Sequence, residues 1–150
     1  MNRFNTKSIL VTGGSSGIGL AAAQAFAAEG ARVVITGRDQ AALDDAARQI
    51  GPGTIALRHD AADVTGAKAL AATLVQQGIT LDAVFINAGS ARFAAFTNVD
   101  EALWDSTFGT NVKGAYFQIQ ALLPVLNRGA SIVLNGSINA HIGMPNSSVY

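Results

Sequence analysis

The sequence predicts a doubly wound α/β fold, a parallel sheet covered by helices on both faces. Three observations carry this expectation. Five short aliphatic runs recur along the chain, each apolar throughout rather than alternating, as strands buried on both faces are. Helical stretches separate them, so consecutive strands run parallel and are joined by right-handed crossovers. No linker-like stretch divides the chain, so residues 1–150 read as one domain.

The elements follow in order. "SILV" (8–11) is the first strand, and the glycine-rich turn "TGGSSGIG" (12–19) runs into an alanine-rich helix over 18–29 that Gly30 stops. "ARVVIT" (31–36) is the second strand. Asp39 is placed to cap the helix "QAALDDAARQI" (40–50), which "GPG" (51–53) ends. "TIALR" (54–58) is a third strand, "GAKALAATLVQQ" (66–77) a third helix and "LDAVFI" (81–86) a fourth strand. A long helical region over 100–127, interrupted near Gly109, precedes a fifth strand, "ASIVLN" (130–135). Trp104 and the phenylalanines at 93, 96 and 108 are expected to pack rather than to form a binding platform.

Composition narrows the function classes. The chain is 49% apolar and 13% charged, which marks it as globular rather than disordered. Ten basic and ten acidic residues cancel, so no basic field exists to hold nucleic acid. There is no cysteine, hence no disulfide and no thiolate metal site, and His59 and His141 stand apart, so no metal is expected. The apolar run near the N-terminus is too short for a signal or membrane segment, and a soluble cytoplasmic protein is expected.

The glycine turn is the most informative stretch. In a doubly wound sheet the first strand-to-helix turn lies where strand order reverses, and ligands bind there. Gly13 permits the tight turn, Gly17 lets a phosphate approach the backbone, and Gly19 lets the helix pack close to the sheet. Unpaired N–H groups at the helix start, including that of Ile18, attract an anion, and Ser15 and Ser16 can donate to it. The hollow suits a pyrophosphate. A P-loop is excluded because Leu20, not Lys, follows the last glycine, and a serine hydrolase is excluded because Ser137 sits in "NGSIN" rather than G-x-S-x-G.

The spacing of that turn, G-x-x-x-G-x-G, leads to a family. "TGGSSGIG" (12–19), "NAG" (87–89) after the fourth strand, "NVKG" (111–114), "GS" (136–137) after the fifth strand and Tyr150, thirteen positions beyond Ser137, occur in this order. Together they resemble the short-chain dehydrogenases/reductases, in their compact single-domain branch with a Rossmann-like fold. Ile86 departs from the pattern, standing where that family often has a first Asn. The resemblance implies NAD(P)-dependent hydride transfer between nicotinamide and a carbonyl or alcohol substrate, in a homo-oligomer. It implies Tyr150 as general acid/base, Ser137 as the group holding the carbonyl oxygen, and Asn111 as anchor of a water in the proton relay. The family's lysine four residues past the tyrosine falls beyond Tyr150. These residues are therefore read as the nucleotide-binding part of a longer enzyme, cut at its catalytic tyrosine. Ser137 as a turn cap and Asn111 as a partner for backbone within its helix are the plainer alternatives.

Cofactor choice is read from the end of the second strand. A carboxylate there would accept from a ribose 2′-hydroxyl and select NAD. Here Gly37 and Arg38 stand instead, and an arginine can fork onto a 2′-phosphate, so NADP is expected first and NAD second. Asp60 is placed to accept from the adenine amino group with Ala61 beside it, or else to cap a turn. Asn87, Ala88 and Gly89 would line the ribose side of the cleft. The rival function is a dinucleotide-sensing module that binds without catalysis.

Overall fold

The five aliphatic runs form five strands and the stretches between them five helices. The order is β1 (Ser8–Thr12), α1 (Gly17–Ala28), β2 (Arg32–Gly37), α2 (Gln40–Ile50), β3 (Ile55–Arg58), α3 (Val64–Gln76), β4 (Leu81–Ile86), α4 (Glu101–Phe108), α5 (Ala115–Leu122) and β5 (Leu126–Leu134). The computed structural model describes residues 2–150. All strands lie in one sheet, ordered β3-β2-β1-β4-β5, and every neighbouring pair is parallel. The expected doubly wound fold is present, and its order reverses between β1 and β4.

Strand alternation divides the core into two layers. Ile9 and Val11 of β1, with Val33 and Ile35 of β2, pack on one face against Ala23 of α1 and Leu43 and Ala46 of α2. Leu10, Val34, Val84 and Ile86 pack on the other face against Leu70 and Leu74 of α3 and Ala115 and Leu122 of α5. Each fully buried Leu, Ile or Val contributes about 1.5–3 kcal/mol relative to exposure. The side chain of Asp39 accepts from Ala42 N, the expected cap of α2, and Asp63 and Asp100 cap α3 and α4 in the same way.

Two expectations need correction. The helical region ends at Leu122, short of 127, because Pro124 cannot continue the hydrogen-bond ladder and sits in a single 3-10 turn, Leu123–Val125. β5 accordingly begins at Leu126 rather than 130. Its "LNRG" reads as a loop because it is irregular: Leu81 pairs with Leu126 but Ala83 with Ser131, and Gly129 has φ +81°. The packing of the aromatic residues is at the surface rather than in the core. Trp104 stacks on Phe108, with ring centroids 4.4 Å apart, on the outer face of α4, and Phe96 is 83% exposed. The buried face of α4 is carried by Leu103 and Thr107 instead.

The interruption expected near Gly109 is a π-helical turn, Gly109–Gly114, that joins α4 to α5. No helix is long and apolar enough to cross a membrane among the described residues.

Candidate functional site

The glycine turn has the conformation its residues allow. Gly13 and Gly17 have φ +66° and +53°, the left-handed region that favours glycine. A Cβ on Gly19 would lie 2.2 Å from the Gly13 carbonyl oxygen, so only glycine lets α1 start this close to β1. A Cβ on Gly17 would meet nothing within 4 Å, and the space over the start of α1 is open. Ser16 is the N-cap of α1 but its side chain makes no capping bond, which leaves its hydroxyl free for a ligand. Ile18 is exposed beside it. Open space, free N-terminal N–H groups and two hydroxyls fit a dinucleotide pyrophosphate.

A second turn is locked onto this one. Thr12, fully buried at the end of β1, accepts through Oγ1 from Asn87 N at 2.9 Å and from Ala88 N at 2.8 Å. Asn87 Nδ2 donates back to the Thr12 carbonyl at 3.0 Å, and its Oδ1 accepts from Asn135 Nδ2 at 2.9 Å. Carboxyl ends of β1, β4 and β5 are thus tied edge to edge at the reversal of strand order. Asn111, in the π turn, is tied in as well: its Oδ1 accepts from Ser90 N and its Nδ2 donates to Ser90 O. A Cβ on Gly89 would lie 3.3 Å from Asn111 Oδ1. The plainer expectation for Asn111 is therefore corrected: the backbone it satisfies belongs to the turn after β4, not to its own helix. Gly114 explains the final glycine of "NVKG": a Cβ there would meet the Ala61 carbonyl at 2.0 Å.

Gly37 ends β2 and Arg38 follows it, making no ion pair among the described residues. Asp60 follows β3, and its Oδ1 accepts from Ala62 N at 3.0 Å, an Asx turn that leaves the other oxygen free. His59 is buried and its Nε2 has no hydrogen-bond partner. Burial holds its pKa below the usual imidazole value, against the opposing pull of Asp63 and Asp60.

Ser137 and Tyr150 lie beyond β5. Ser137 caps the 3-10 turn Ile138–Ala140, its Oγ accepting from Asn139 N at 3.2 Å, as its plainer reading has it. The Tyr150 ring stands edge-on to Phe93, centroids 5.8 Å apart, and the Ala94 N–H donates to the Asn146 carbonyl, which brings this segment beside the one after β4. No hydrogen bond joins Ser137 to Tyr150. Thr12, Ser90, Asn135 and Gly114 were not singled out as site residues by the sequence. Thr12 and Gly114 do stand inside its motifs, whereas nothing local marks Ser90 or Asn135.

The short chain dehydrogenase family model matches residues 7–150. The chain belongs to the short-chain dehydrogenase family. It is 37% identical over 147 residues to an L-rhamnose 1-dehydrogenase (NAD(P)(+)) of Azotobacter vinelandii, covering 91% of this chain and 57% of that protein. It is 35% identical over 155 residues to an NADP-dependent (R)-specific alcohol dehydrogenase of Lentilactobacillus kefiri, covering 99% and 61%. A solved short-chain dehydrogenase/reductase from Brucella melitensis, titled a glucose/ribitol dehydrogenase, superposes with a TM-score of 0.93 at 28% identity, covering 98% of this chain and 63% of that one. The chain thus spans about three fifths of the length of such family members.

Proposed function

We propose that this chain is the nucleotide-binding part of an NAD(P)-dependent oxidoreductase acting on a carbonyl and alcohol pair. The observation that carries the reading is the open glycine cradle over α1, latched by Thr12 to the Asn87 turn, in a chain of this family. When bound, the nicotinamide would supply or accept the hydride. Tyr150 gives a proton to the developing alkoxide and takes it back in the reverse direction. Ser137, past the carboxyl end of β5, turns its hydroxyl from Asn139 to the carbonyl oxygen and stabilises charge there. Asn111 has one amide N–H and one oxygen lone pair engaged with Ser90, and its remaining amide groups, with main-chain groups of the widened π turn, hold the relay water assigned to this position.

NADP is the preferred cofactor in this reading, with NAD second. Gly37 and Arg38, which makes no ion pair among the described residues, support it, as does the likeness to the NADP-dependent alcohol dehydrogenase of Lentilactobacillus kefiri. The Azotobacter vinelandii relative is named for both cofactors. A homo-oligomer is also proposed. Trp104, Phe108, Val112 and Tyr116 recur every four residues from α4 through the π turn to α5, and all four are exposed.

The test is cofactor titration and steady-state turnover with the whole protein and its Tyr150→Phe variant. Tyr150→Phe is expected to lower kcat by about 10²–10⁴-fold with cofactor affinity unchanged. Normal turnover in that variant overturns the acid/base role. Cofactor binding with no turnover of any carbonyl or alcohol in the unaltered protein makes it a sensing module instead.

A further inference from the structure

We propose that Arg58 is a second cation of the site that reads the ribose 2′-substituent, so that a 2′-phosphate is held between Arg38, just past β2, and Arg58, at the end of the adjacent β3. The inference rests on the NADP reading and adds a residue that neither the motif nor the strand pattern marks.

In the β2–β3 register Arg58 is the partner of Gly37, at the end of β2 where the 2′-group is expected. His59 N donates to the Gly37 carbonyl at 2.9 Å, which pins the end of β3 to the end of β2. Arg58 Nε donates to the carbonyl of Arg38 at 3.1 Å. That bond fixes the guanidinium beside the main chain of Arg38 and leaves its two terminal NH2 groups free to donate. No carboxylate lies within ion-pair distance of Arg38 or Arg58 among the described residues. Neighbouring acids are engaged with backbone: Asp39 with Ala42 N, Asp60 with Ala62 N and Asp63 with Gly66 N.

Two like charges at the ends of neighbouring strands repel, and no acidic side chain among the described residues pairs with either of them. A dianionic phosphomonoester does, and its three terminal oxygens accept from several donors at once. Gly37 leaves the room: a Cβ there would lie 3.3 Å from Ser15 Oγ, so the Ser15 hydroxyl borders the same hollow as a third donor. The cofactor's bridging phosphates do not compete for this place, since the cradle over α1 takes them. A 2′-hydroxyl could use neither positive charge.

Calorimetric titration with adenosine 2′,5′-bisphosphate and with 5′-AMP tests this without any turnover, because neither ligand carries nicotinamide. The unaltered protein is expected to prefer the bisphosphate, with an affinity that falls steeply with ionic strength. Arg58→Gln keeps an N–H donor for the Arg38 carbonyl but loses the charge. It is expected to weaken bisphosphate binding about tenfold, flatten the salt dependence and leave 5′-AMP binding unchanged. Arg58→Lys is expected to restore part of the preference. If the unaltered protein does not distinguish the two ligands, the NADP reading itself fails. If it does, and Arg58→Gln keeps the same preference or weakens both ligands equally, the NADP reading stands and the role of Arg58 is overturned.

Discussion

Thr12 and Asn87 hold each other from both sides, the threonine hydroxyl accepting from Asn87 N while the asparagine amide donates to the Thr12 carbonyl. Seventy-five positions apart in sequence, they make the two turns of the cleft one rigid body. Thr12→Val keeps the shape and removes the acceptor for two N–H groups. It should cost about 2–3 kcal/mol in urea unfolding and weaken nucleotide binding, whereas Thr12→Ser should retain most of both. Unchanged stability in Thr12→Val would mean that the latch has no energetic role.

Gly17 and Gly19 should fail in different ways. Gly19→Ala drives a Cβ into the Gly13 carbonyl and should destabilise the fold by about 2 kcal/mol or more. A Cβ on Gly17 meets nothing within 4 Å, so the main folding cost of Gly17→Val is the left-handed backbone at φ +53°, about 1–2 kcal/mol. The variant should nonetheless abolish dinucleotide binding, by filling the cradle. Fluorescence titration and thermal melts of both variants separate the effects, and a folded Gly17→Val protein with full affinity would remove the cradle assignment.

Replacing Gly37 by Asp together with Arg38→Ala should move preference from NADP to NAD. The nearest atoms to a Cβ at 37 are Ser15 Oγ at 3.3 Å and the Leu43 side chain at 3.4 Å, so a carboxylate stem is accommodated by small shifts. The readout is kcat/KM with each cofactor. An unaltered enzyme that already prefers NAD sinks this prediction.

Buried His59 should make stability sensitive to mild acid. Its pKa is lowered in the folded state, so the unfolded chain binds the proton first. The contribution is complete above the ordinary value near 6.5 and declines as pH falls below it toward the lowered folded value. Glu29 and Asp82, lowered chiefly by hydrogen bonds from the backbone N–H groups of Arg3 and Ser8, lose their contributions only in the carboxylate range further down. Urea unfolding between about pH 7.5 and 5.5 should therefore show a slope that His59→Gln flattens. An equal slope in that variant would assign the effect elsewhere.

Local signals were legible and long-range partners were not. α2 and β4 run over the residues expected of them, because Asp39 and Gly51 bracket the helix and an uninterrupted apolar run fills the strand. β5 began early because its pairing, with an irregular step opposite β4, overrides the loop-like composition of "LNRG". The glycine turn could be read residue by residue, since steric freedom is a local property. The partner of Asn111 could not: Ser90 lies 21 positions away and binds through its backbone, which carries no residue signature. The direction in which a helix face points is hidden for the same reason. Sequence spacing shows that Trp104 and Phe108 share a face, and only the docking of α4 through Leu103 and Thr107 decides that this face points outward.

The central place of β1 in the sheet sets a timetable for synthesis. β1, β2 and β3 can pair once residues 8–58 have left the ribosome, because they are neighbours in both sequence and sheet. The other edge of β1 waits for β4, which starts only at Leu81. At about 5–20 residues per second the delay from β3 to β4 lasts roughly one to five seconds. Throughout that interval Ile9, Leu10 and Val11 sit on a half-sheet with an unpaired edge, the form in which a nascent chain is most open to chaperones or to pairing with another copy of itself.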